Sequence, residues 1–127
     1  MWKMIWILIV GAMLSPMALL KAQNVEFVGS YETSGYAQGI FISDTHAFVA
    51  DGPSGLKIID IGDPSNPNLI GSYDTQPWTY NVFISGPYAF LANDYSGLQI
   101  LNISVPDTPS YSGSYDTDGP AIAVFIS

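Results

Sequence analysis

Eight residues have the types and placement of a binding surface: Tyr36, Asp51, Asp74, Trp78, Tyr80, Asp94, Tyr95 and Asp116. Aromatic faces beside carboxylates suit sugars, and they attract cationic ligands through the negative face of the ring. Turn formation competes as an explanation, because Asp favours tight turns through hydrogen bonds to its own backbone. Aromatics beside such turns also pack on neighbouring elements. Other chemistries are poorly supplied. Asp51-Gly52 and Asn93-Asp94 offer oxygen donors, but they lack the alternating acids and following Glu of a calcium loop, so no metal site is expected. His46 is the single His and there is no Cys, so no nucleophile–base–orienter set can be assembled. Glycoside hydrolysis would need two opposed carboxyl groups, which spacing along the chain does not specify. The reading is therefore of a chain that is not an enzyme, with no catalytic residue and no cofactor.

Composition narrows the partners. Residues 1–22 have the layout of a secretory signal peptide: Lys3, an apolar run from Ile5 to Leu20, and Ala22 before the cut. Left uncleaved, the same segment would be an N-terminal anchor and the only route to a membrane. Lys3 and Lys21 leave with it, so residues 23–127 keep Lys57 alone against eleven carboxylates, a formal charge of −10. A chain with no Arg and one Lys cannot neutralise phosphates, which excludes nucleic acid as a partner. A secreted or cell-surface location is expected, with the periplasm as a further compartment. Without Cys, stability must come from packing, repetition or association.

The elements that position these residues follow from an internal repeat. Gly29-Ser30-Tyr31-Glu32-Thr33 returns as Gly71-Ser72-Tyr73-Asp74-Thr75 and as Gly113-Ser114-Tyr115-Asp116-Thr117, 42 residues apart each time. Between these anchors, Phe41-Ile42-Ser43 matches Phe83-Ile84-Ser85 and Phe125-Ile126-Ser127, and Ser54-Gly55-Leu56 matches Ser96-Gly97-Leu98. The units are 29–70, 71–112 and a partial 113–127. Each reads as four short strands, in the first unit at about Gly39–Ser43, His46–Ala50, Leu56–Ile61 and Leu69–Thr75. Pro64 and Pro67 interrupt pairing before the fourth. Near-continuous apolar runs such as Ile40-Phe41-Ile42 require cover on both faces. Val25–Thr33 reads as an isolated fourth strand and Ala121–Ser127 as an isolated first strand. Asn102-Ile103-Ser104 fits a glycosylation sequon but falls in a predicted third strand, where repeat drift explains it.

Ala47-Phe48-Val49-Ala50-Asp51, Gly55-Leu56-Lys57-Ile58-Ile59-Asp60-Ile61 and Asp63-Pro64-Ser65-Asn66-Pro67 resemble the LVIVD repeat. The second unit departs from the pattern at Val105, Asp107 and Ser112. The resemblance implies an all-β fold of β-propeller-type, four-stranded antiparallel blades. Here that means two complete repeats with partial blades at both ends, an incomplete ring; a fragment of a longer protein is the expectation, with a subunit that closes by oligomerisation and a short open stack as the alternatives. It brings no catalytic residues with it. In an up-and-down blade, the loop after the second strand and the connection after the fourth share one end, so the eight residues collect on one rim. The expected function is a non-catalytic scaffold binding protein or carbohydrate there, with self-association through open blade edges. The alternative is part of a propeller enzyme whose active-site residues lie in other blades.

Overall fold

The computed structural model describes residues 25–127. The predicted signal peptide lies outside them. Eight strands follow in order: β1 (Gly39–Ser43), β2 (His46–Ala50), β3 (Leu56–Asp60), β4 (Asn68–Tyr73), β5 (Asn81–Ser85), β6 (Tyr88–Ala92), β7 (Leu98–Asn102) and β8 (Ser110–Tyr115). They form two four-stranded antiparallel sheets, β1-β2-β3-β4 and β5-β6-β7-β8, with neighbours in sequence always paired.

Local chemistry sets the register. The β1–β2 and β5–β6 turns have two residues each, and Asp44 (φ 51°) and Gly86 (φ 55°) take the left-handed conformation that such hairpins require. Phe41 thereby faces Phe48, and Phe83 faces Phe90. In β4, Ile58 pairs with Gly71 and Ile59 with Leu69, so Ile70 is an extra, unpaired bulge residue. Ser112 occupies the same bulge in β8. Ile70 packs on the core, whereas Ser112 is exposed.

The first two strands of each unit match the sequence reading. The third is shorter by one residue, because Asp60 Oδ1 accepts from Gly62 N (2.8 Å) and turns the chain. Ile61 N instead bonds Thr45 O (2.8 Å). The fourth begins at Asn68 and ends at Tyr73, not Thr75. The two isolated strands expected at the ends do not form. Among the described residues, Val25–Thr33 has no ladder partner, and Ala121 makes only an isolated bridge to Asp94. A strand exists through its neighbour, and among the described residues no third or second strand lies beside these segments.

The sheets stack face to face. Phe48, Ala50, Leu56 and Ile58 of the first meet Val82, Ile84, Ala89, Leu91 and Leu101 of the second in one buried cluster, joined by Ile103. Phe41 rests on Phe83, one repeat later, with ring centroids 4.8 Å apart. A second, smaller cluster of Ala47, Val49 and Ile59 lies on the other face of the first sheet. β2 and β3 are thus covered on both sides, as their unbroken apolar sequence demands.

Candidate functional site: an aromatic rim

The β2–β3 loop and the β4–β5 connection meet at one end of the stack. Gly52 and Thr79 exchange backbone hydrogen bonds (3.1 and 2.9 Å), and Asp94 and Ala121 repeat the exchange one unit later (3.1 and 2.8 Å). Gly52 (φ 57°) lies against the Trp78 indole, where an added Cβ would stand 3.0 Å from the ring in a backbone conformation that side chains rarely adopt. Asp94 takes the same left-handed conformation (φ 42°) at the matching position, at the conformational cost a non-Gly residue incurs there.

This end gathers the aromatics. Tyr36 and Trp78, equivalent residues of consecutive units, stack with centroids 5.9 Å apart and planes 11° from parallel. Tyr80 adjoins Trp78 at 6.2 Å. Tyr36 is two-thirds exposed, while Trp78 and Tyr80 are half-buried. Tyr95 projects from the β6–β7 loop and is also exposed, with no ring within stacking distance among the described residues.

The acids behave differently from one another. Asp51 is fully buried: Oδ1 accepts from Thr33 Oγ1 (2.6 Å) and Oδ2 from Gly35 N (2.9 Å). Its carboxyl therefore pins the chain that enters β1 and presents nothing to a ligand. Asn93 replaces it in the second unit, and the reason is local. Pro77 stands where Gly35 stood and has no N–H to donate, and Thr75 pairs with Thr79 instead. Asn93 Nδ2 donates to Gln99 Oε1 (2.8 Å), leaving Asn93 Oδ1 buried without a partner. Asp74 is exposed, with only long contacts to Gln76 N (3.3 Å) and Nε2 (3.4 Å). Asp116 is exposed and Asp94 half-buried. Spacing along the chain does not mark Thr33 and Gly35 as partners of Asp51; the available signal is that Asp51 becomes Asn93 in the unit where Gly35 becomes Pro77.

The opposite end is built from Asx-type turns. Ser65 donates to Asp63 Oδ1 from its hydroxyl (2.6 Å) and its backbone N–H (3.0 Å), and these bonds hold the Asp63 carboxyl below the usual carboxylate range. Asn102 Oδ1 is engaged likewise by Ser104. Among the described residues, no three His, Cys, Asp or Glu side chains come together to hold a metal ion.

The LVIVD repeat family model matches twice, over residues 34–75 and 79–117. The two matches fall one on each sheet. The chain belongs to the LVIVD repeat family. No curated protein and no solved structure matches the chain at a significant level. As an LVIVD repeat protein, it presents two blade-like units whose equivalent residues fall side by side, and the rim is where that stacking leaves aromatic faces in the open.

Proposed function

We propose that this LVIVD repeat protein is a non-catalytic scaffold, exported to the cell surface or medium, whose aromatic rim binds carbohydrate. The near-coplanar pair of Tyr36 and Trp78, flanked by Tyr80, is the observation that supports it. Sugars present apolar C–H faces to such platforms, and exposed Asp74 stands on the same connection to accept from hydroxyl groups. The leader-free chain has Trp78 as its single Trp, so its emission reads the rim directly. Titration with soluble glycans is expected to change that emission saturably. Tyr36→Ala should weaken binding about two- to tenfold, from a stacking contribution of roughly 0.5–1.5 kcal/mol. Unchanged emission across neutral and acidic glycans would overturn the proposal.

A further inference from the structure

Asn102-Ile103-Ser104 is the one Asn-X-Ser/Thr sequence in the chain with X other than Pro, and strand patterning alone puts it inside a third strand. The structure places it differently. β7 ends at Asn102, so Ile103 and Ser104 lie in the turn that follows, at the end of the stack opposite the aromatic rim. The five residues of β7 hold those two ends about 13 Å apart.

The first unit shows what this turn requires. Gly62 N donates to Asp60 Oδ1 there (2.8 Å), and Ser104 N donates to Asn102 Oδ1 here (2.9 Å). Ile61 N bonds Thr45 O and Ile103 N bonds Pro87 O, each at 2.8 Å. One acceptor oxygen therefore builds the turn in both units, and Gly suffices where Ser104 stands. The turn needs neither the amide nitrogen of Asn102 nor the hydroxyl of Ser104. Both are what an N-glycan acceptor site consists of, and here they converge, because the Ser104 hydroxyl also donates to Asn102 Oδ1. The amide is held by its oxygen. Nδ2 has no hydrogen-bond partner among the described residues and is open to solvent.

Stacking does not close this position. Asp60 Oδ2, the counterpart of Asn102 Nδ2, is likewise unpartnered among the described residues and open, although the second sheet packs against β3. A group attached at Nδ2 thus leaves by the end of the stack, whether or not another unit lies on β7.

We infer that Asn102 is an acceptor for an N-linked oligosaccharide. The donor is an oligosaccharide carried on a polyprenyl diphosphate and used by a membrane transferase as the chain is exported. Asn102 Nδ2 bonds to C1 of the first sugar and gives up one proton. The C1–O bond breaks, and the polyprenyl diphosphate leaves with its electron pair. Only the export of the chain is shared with the proposed function; what the rim binds does not enter.

The test passes the full chain through the secretory pathway of a cell that N-glycosylates exported proteins and maps its peptides by mass spectrometry. Asn102 is expected to carry the host glycan, and peptide N-glycosidase should release it, leaving an aspartate. Asn102→Gln and Ser104→Ala should each abolish the added mass. A second arm does not depend on export: the unfolded, purified chain is offered to an oligosaccharyltransferase with a polyprenyl-diphosphate oligosaccharide, and the same modification is expected. The glycosylated chain should then refold with the unfolding midpoint of the unmodified chain. Modification in the second arm of a chain that the cell retains would support the inference and count against export. An exported chain left unmodified at Asn102, no transfer in the second arm, a glycan that survives Ser104→Ala, or a glycosylated chain that no longer refolds would overturn it.

Discussion

At the residue scale, one position shows how repeat drift is accommodated. Asp51 accepts from two donors that the chain brings back to it, and Asn93 serves the unit in which Pro77 has removed one of them. Removing a buried acceptor leaves its donors without partners, at a cost of about 1–3 kcal/mol for each such group. Asp51→Ala should therefore destabilise the chain by at least about 2 kcal/mol in urea unfolding, while Asp74→Ala, exposed on the same rim, should cost little. A second residue-scale expectation concerns pH. Ser65 holds the Asp63 carboxyl below its ordinary value of 3.8, chiefly through its hydroxyl. A carboxyl lowered by folding stabilises the folded state at pH above 3.8, and that contribution fades as pH falls through the lowered value. Ser65→Ala should raise the Asp63 titration midpoint seen by NMR toward 3.8; an unchanged midpoint would remove the hydroxyl as the cause.

At the scale of elements, identical sequence positions acquire different environments. Ile58 is fully buried because the second sheet covers β3, whereas Ile100, its counterpart on β7, is only half-buried. Ile58→Ala should cost about 2–5 kcal/mol, and Ile100→Ala distinctly less. Equal losses by chemical denaturation would mean that the sheets do not stack in this order. This contrast also marks what was legible in the amino-acid sequence. The turn pairs Asp44-Thr45 and Gly86-Pro87, the unbroken apolar runs and the 42-residue period specify eight strands and their pairing order. They do not show which faces are covered, since cover depends on a neighbouring unit. Val25–Thr33 has the composition of a strand and is not one here, because pairing is a property of two segments. The rim divides in the same way. Loop topology brings Tyr36, Trp78 and Tyr80 together, but the burial of Asp51 depends on donors 16 and 18 residues away in sequence.

For the whole molecule, the organising fact is that residues one repeat apart become neighbours across the stack. Phe41 meets Phe83, Phe83 meets Phe125 at 5.3 Å, and Tyr36 meets Trp78. The rim follows from it, as the end where stacked loops expose aromatic faces, and so does the outer side of the first sheet, where Ile40 and Ile42 of β1 are exposed while Ala47, Val49 and Ile59 stay buried. This spacing between equivalent residues can be read directly in solution. Nuclear Overhauser effects among assigned aromatic protons should link Phe41 to Phe83 and Tyr36 to Trp78, at ring separations of 4.8 and 5.9 Å. Strong effects within each sheet, between Phe41 and Phe48 and between Phe83 and Phe90, with none between the two units, would contradict the stacked arrangement.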